Sequence, residues 1–262
     1  MTTADDSRPT RVAIDPRIRQ RRLDVLRDEG RRRLRLVVGI AMLAAIVLAG
    51  WGLTRSPLLD VDTVRVRGAA HSTPEEVTAA AGLDRHPPML ELEEKELAAA
   101  IEALPWVDSA RVRKDWPGTV EVTLLERTAL AAVPGENDQW TLLDPTGRVL
   151  AHQQGQPPEM TRIELASAPG EPGSRVAAPA RAALGIVESL PAPLAGRVPT
   201  IRVAQDATIE LVLDGKIPVR FGPASDIRAK VVALTTLVQK ADLARTTSID
   251  VRAPTAPVLT RR

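Results

Sequence analysis

The sequence predicts an α+β protein with three folded parts: a single N-terminal transmembrane helix, a small β-α-α-β-β domain, and a mixed, mainly-β domain with flanking helices. Three observations carry that expectation. A long uncharged apolar run lies near the N-terminus, period-two alternation recurs in short runs after it, and the helical stretches between those runs have readable ends. The boundaries fall at 1–35 for a basic cytoplasmic tail, 36–54 for the membrane helix, 59–127 and 128–253 for the two domains, and 254–262 for a C-terminal tail.

Leu36 to Leu53 reads "LVVGIAMLAAIVLAGWGL", with no charged residue. As a helix it reaches roughly 27 Å, close to the hydrocarbon thickness of a bilayer. Arg31, Arg32, Arg33 and Arg35 crowd its start and Trp51 stands near its far end. By the positive-inside rule the N-terminus lies in the cytoplasm and everything after the helix lies outside. A cleaved signal peptide fits less well, because 35 residues make too long a leading region and no A-x-A site follows. Residues 1–35 hold eleven Lys/Arg against six Asp/Glu, while the whole chain is only +2. The remainder is therefore net acidic and is not a nucleic-acid platform. The segment "IRQRRLDVLRDEGRRRLRL" favours a helix in part, yet the tail is expected to be disordered up to the membrane.

In "VDTVRVRG" Asp62, Val64 and Val66 share one face of a strand, with Thr63, Arg65 and Arg67 on the other and Gly68 at its end. "STPEEVTAAAG" is a helix with Thr73 as cap, Pro74 in the first turn, Glu76 closing a capping box and Gly82 as stop. A second helix runs from about Glu93 to Leu104, with Leu97, Ile101 and Leu104 along one side, and Pro105 ends it. Two alternating runs follow, Ala110 to Arg113 and Val120 to Leu124, separated by "WPGT". Pro117 and Gly118 suit the central positions of a type II turn, which makes the pair a hairpin. Trp106 and Trp116 flank it in a chain with one Phe and no Tyr. Both are expected to fill the ends of this domain's core, contributing about 2–3 kcal/mol each.

The second domain begins with a strand at 129–134, then "QWTLLDPTGRVL" as strand, turn at Asp144 to Gly147, and return through Val149. Residues 153–180 read as irregular chain leading to a helix near Ala180 to Leu190. "TIRVAQDATIELVLDGKIPVRFG" gives three short strands. A helix from about Ser225 to Ala241 follows, with Ile227, Val231, Leu234 and Val238 on one stripe. The last expected strand is Ile249 to Arg252, before a proline-bearing tail.

Catalytic signals are scarce. With no cysteine, disulfides, thiolate metal sites and cysteine nucleophiles are excluded. His71, His86 and His152 occur singly, without a partner at metal-ligand spacing, and read as solvated loop residues. No phosphate loop, G-x-S-x-G elbow or S-x-x-K motif is present, so no cofactor and no enzymatic activity are expected. Function then falls to surfaces that bind other chains, above all a free sheet edge. The candidate edge is the run Ile249 to Leu259. The competing reading is a membrane-anchored cell-wall enzyme or ligand-binding module, with a site between the two outside domains near residues 127–140.

The stretch "LPWVDSARVRKDWPGTVEVTLLER" resembles the signature of the FtsQ/DivIB cell-division proteins, in which a POTRA domain follows a single membrane span. The matching residues are Leu104 to Val107 with Trp106 and Val107, Arg111 and Arg113, the turn Trp116, Pro117 and Gly118, and the strand end Glu126 with Arg127. "VDTVRVRG" and "STPEEV" resemble that family's first strand and helix. The resemblance implies a POTRA domain, then a β domain, in a single-pass scaffold at the division septum. It further implies FtsB- and FtsL-like partners at the C-terminal strand and other divisome proteins at the POTRA domain. Carried over by position, the partner-binding residues are Ile249, Asp250, Val251, Arg252, Ala253 and Val258. Here that segment is short, rich in Ala and Pro, and has no aromatic anchor, which points to backbone pairing of modest affinity.

Overall fold

The computed structural model describes residues 16–54, 59–156 and 158–261. The chain divides into two units at Leu59 and Asp60. In the first, α1 (Pro16–Thr54) is one continuous helix. Within it Arg33–Gly52 is long and apolar enough to cross a membrane. The expected disorder up to the membrane is therefore corrected from Pro16 onward, and residues 1–15 lie outside the described residues. Extension of an existing helix needs no new nucleus, and the Arg/Leu/Glu-rich stretch before the span contains good helix formers. Pro16 suits the first turn, where its missing N–H is no loss.

The second unit opens with a three-stranded sheet in the order β1-β3-β2: β1 (Thr63–Arg67), β2 (Val107–Asp115) and β3 (Thr119–Glu126). β1 runs parallel to β3, and β2 pairs antiparallel with it, Val112 opposite Val122. α2 (Pro74–Ala80) carries the expected capping box, with Thr73 accepting from the Glu76 N–H and Glu76 accepting from the Thr73 N–H. Gly82 follows at positive φ. α3 (Glu94–Glu102) buries Leu97 and Ile101 against Val112, Val120 and Val122. The β-α-α-β-β order stands as expected.

The hairpin turn differs from expectation. Gly118 lies outside the positive-φ region that a type II turn requires, and the Trp116–Pro117 peptide is cis. Glycine is needed there for room instead. A Cβ would meet Asp62 Oδ2 at 2.6 Å and the Asp60 carbonyl at 2.8 Å, because the chain entering β1 crosses this turn. Gly118 O accepts there from the N–H groups of Asp62 (2.8 Å) and Thr63 (3.1 Å).

A nine-stranded sheet follows, ordered β12-β11-β10-β9-β8-β7-β4-β5-β6. Its strands are β4 (Ala131–Pro134), β5 (Gln139–Leu143), β6 (Val149–Gln154), β7 (Thr161–Leu165), β8 (Thr200–Val203), β9 (Ile209–Leu213), β10 (Ile217–Gly222), β11 (Thr246–Asp250) and β12 (Val258–Arg261). α4 (Ala178–Ser189) and α6 (Ile227–Lys240) pack into one core with the sheet through Ala183, Leu184, Val187, Val231 and Leu234, while α5 (Ala192–Ala195) adds Leu194. Two strands depart from the sequence reading. β7 lies inside the stretch expected to be irregular, and β12 lies in the expected C-terminal tail.

Candidate functional site

β12 alters the location of the free edge. β11 is paired on both sides, parallel to β10 and antiparallel to β12. Ile249 and Val251 are fully buried, and the Val251 N–H donates to the Arg220 carbonyl at 3.0 Å. They are core residues and not an open edge, which corrects the sequence expectation. Asp250 accepts from the Arg252 guanidinium at 2.6 Å, so these two side chains satisfy each other. Ala253 closes a turn by accepting from the Ala256 N–H. Of the six expected residues, Val258 alone lies on the outermost strand, and it is 59% exposed.

Backbone alternation then identifies the unpaired groups. In a strand, successive residues direct their N–H and C=O to opposite sides. Val251 faces β10, as does Ile249, so Asp250 and Ser248 face β12 and bond to their opposites Val258 and Thr260. Leu259, opposite Ile249, directs its N–H and C=O away from the sheet. The expected edge run reached Leu259 without singling it out or reading β12 as a separate strand, since four residues after two prolines gave no alternation long enough to read.

Opposed residues share a sheet face. Leu259 therefore lies on the face of Ile249, and Val258 and Thr260 lie on the other. A groove of about 820 Å³ runs between α6 and the loop leading to β12, lined by Ile227, Val232, Ala233, Leu237, Pro254 and Pro257. Val232 is 60% exposed on that helix. α6 is seated by Lys230, which is buried and donates to the Pro223 carbonyl at 2.8 Å beside the Phe221 ring. Burial pushes that ammonium below its ordinary range.

The region near residues 127–140 is a joint between the two sheets. Arg127 Nη1 donates to Asp144 Oδ2 at 2.9 Å and pairs with Asp108 Oδ1 at 3.2 Å, while its Nε donates to the Val107 carbonyl at 3.0 Å. Asp144 also accepts from the Arg148 N–H (2.7 Å) and the Thr146 hydroxyl (2.8 Å). Burial pushes the Asp144 carboxyl up, but these donors and the Arg127 charge outweigh it and hold it below the usual carboxylate range. Arg148 Nη2 reaches back to the Ala103 carbonyl at 2.7 Å. Arg127 and Asp144 satisfy each other here, whereas the Arg148 Nε is buried without a hydrogen-bond partner among the described residues.

Trp106 belongs to this joint. It is half-buried and, rather than filling the first domain's own core as expected, packs with Ala132, Trp140, Leu142 and Leu150 of the second sheet and stacks on His71 at 3.9 Å between centroids. His71 Nδ1 in turn lies 2.9 Å from Glu126 Oε2. Glu126 accepts from the N–H groups of His71 and Ser72 as well. Burial raises its carboxyl, yet these hydrogen bonds prevail and lower it to about 2. His71 is therefore partnered, unlike the solvated loop residue expected. His86 contacts the Val61 carbonyl and His152 lies 2.9 Å from Thr141 Oγ1. Trp116 fills no core: it is 49% exposed at the hairpin tip, which overturns the expectation of core packing. Pro117 beside it is also exposed, and Val107 is fully buried. Among the described residues, no three of His, Cys, Asp and Glu group closely enough to hold a metal ion.

Comparison with known proteins matches both domains. Residues 59–127 match the family model of the FtsQ-type POTRA domain, and residues 131–252 match that of the FtsQ/DivIB C-terminal region. The cell division protein FtsQ of Streptomyces collinus is 30% identical over 242 residues, covering 88% of this chain and 90% of the relative. FtsQ of Streptomyces bingchenggensis is 31% identical over 239 residues, covering 88% and 87%. FtsQ of Mycobacteroides abscessus is 30% identical over 211 residues, covering 80% and 65%. With both domains matched in order behind an apolar helix, and with the two Streptomyces relatives aligned along most of their length, the chain belongs to the FtsQ/DivIB family of cell-division proteins.

Proposed function

We propose that the chain is a non-enzymatic bitopic scaffold of the divisome, anchored by α1 with its N-terminus in the cytoplasm and both domains outside at the septum. It gathers FtsB- and FtsL-like division proteins at the C-terminal edge of the nine-stranded sheet, while the POTRA domain meets other divisome proteins. The observation that carries this reading is β12: an outermost strand whose Leu259 main-chain groups face away from the sheet, beside an apolar groove on α6. An extended partner segment pairs with such an edge through its backbone, and pockets for alternate side chains supply selectivity. The arginine cluster before the span supports the orientation.

Leu259→Pro tests the reading, because it removes one outward donor while the bonds of Val258 and Thr260 to β11 remain. Co-purification of an FtsB-like partner is expected to be lost in Leu259→Pro and kept in Leu259→Ala. Equal recovery with both variants would rule out strand addition at β12. Val251→Pro is no substitute, since it breaks the bond to Arg220 within the sheet itself.

A further inference from the structure

Outside α1, the exposed large apolar side chains among the described residues are Leu90, Trp116, Leu125, Val232 and Val258. The last two belong to α6 and to the β12 edge. Leu90 and Trp116 sit together at the other working end of the chain. Lys114 joins them: its Nζ donates to the Leu92 carbonyl (2.8 Å) and the Met89 carbonyl (3.3 Å), and lies 6.0 Å from the centroid of the Trp116 ring. The 88–92 turn and the hairpin tip are thus held side by side, with Leu90 51% and Trp116 49% exposed.

The chain coming from α1 enters the POTRA domain at this same end. Asp60 bridges to Pro88, the Val61 N–H donates to the Pro87 carbonyl, and the Asp62 and Thr63 N–H groups donate to the Gly118 carbonyl. Between Thr54, where α1 ends, and Asp60 the chain spans at most about 20 Å when fully extended. That is less than the diameter of a small domain.

We propose that the Leu90–Trp116 end of the POTRA domain seats in the interfacial layer of the bilayer that α1 crosses. The tether keeps this end within reach of the lipid surface. A tryptophan suits the headgroup layer, with its ring against acyl chains and its indole N–H wet, and a leucine adds apolar area beside it. The charged groups around the tip are acidic on balance, Arg65 pairing with Asp115 while Asp62 lies against the turn at Gly118. Lys114 stands among Asp115, Glu91 and Glu94, whose Oε1 accepts from the Lys114 N–H at 3.0 Å. The contact is therefore apolar in origin, insensitive to salt on a zwitterionic bilayer and not strengthened by anionic lipid.

The test uses the full chain in phosphatidylcholine nanodiscs, with lipids brominated either near the glycerol or at mid-chain. Subtracting the fluorescence of Trp116→Phe from that of the parent isolates Trp116 from Trp51, Trp106 and Trp140. Quenching by the shallow bromine, weaker quenching by the deep one, shielding from acrylamide, and no change at high salt are expected. Leu90→Ser, with its fold checked by circular dichroism, should lower the ratio of docked to undocked tip roughly tenfold. Free quenching of Trp116 by acrylamide with none by either brominated lipid would overturn the proposal. So would shielding that arises only when a partner protein is added, since the tip would then be a protein contact. Unchanged bromine quenching in Leu90→Ser would overturn the part given to Leu90.

Discussion

Replacing Arg127 with methionine tests whether the joint between the two sheets is a structural element in its own right. The Arg127 side chain is 14% exposed and the Asp144 side chain 2%, so the pair is largely withdrawn from water. Breaking a buried pair by removing one partner costs about 3–5 kcal/mol, because the remaining charge is left uncompensated. Asp144 keeps the Arg148 N–H and the Thr146 hydroxyl, which places the loss near the lower limit, about 3 kcal/mol. The half-exposed Asp108 adds less than about 1 kcal/mol, as surface pairs do. For a unit of this size a loss of 3 kcal/mol lowers the melting temperature by roughly 6–12 °C. The assay is thermal and urea unfolding of a chain beginning at Asp60, with Arg127→Met, Asp144→Asn and the double variant forming a cycle. The double variant should recover part of the loss, since no buried charge is then left alone. A cost for Arg127→Met below about 1 kcal/mol, with additive single effects, would refute the reasoning.

Two further outcomes follow from the POTRA domain. The Glu126 carboxyl titrates at about 2 in the fold against an ordinary value of 4.5, so the proton binds the unfolded chain more tightly. Its contribution is present above about pH 4.5 and disappears as pH falls toward 2; the urea midpoint of the parent should fall across that window more steeply than that of Glu126→Gln. Gly68 sits at φ +83° with the Leu124 carbonyl 2.2 Å from where a Cβ would stand, whereas Gly118 needs only space. Gly68→Ala should therefore destabilise more than Gly118→Ala, by about 1 kcal/mol or more in urea unfolding.

What could be read from the residues depended on how local the signal was. The α2 cap is settled by Thr73, Pro74 and Glu76 within one turn, and the β2–β3 hairpin by alternation on both sides of a short turn. β7 has only Ile163 fully buried among five residues, and its partners β4 and β8 lie far away in sequence. β12 is four residues long and exists because β11 offers it an edge, a fact of tertiary structure that no periodicity records. The same cause misplaced the candidate site by one strand: Ile249 and Val251 alternate well because they are core. Trp116 shows the limit of composition, since its size suggested a cavity to fill and the hairpin instead presents it to the surroundings. The direction of Leu259 became legible only once the Val251 bond to Arg220 fixed the phase of β11.

The position of β12 also bears on biosynthesis. It is the last of the described strands to leave the ribosome, and until it arrives the nascent sheet ends at β11, with Ser248 and Asp250 presenting the open main-chain groups. A partner meeting that immature border would find a different row of side chains and a different phase. The proposed pairing at Leu259 therefore depends on β12 having docked, and a variant lacking Val258 to Arg261 would present the Ser248 and Asp250 row in its place.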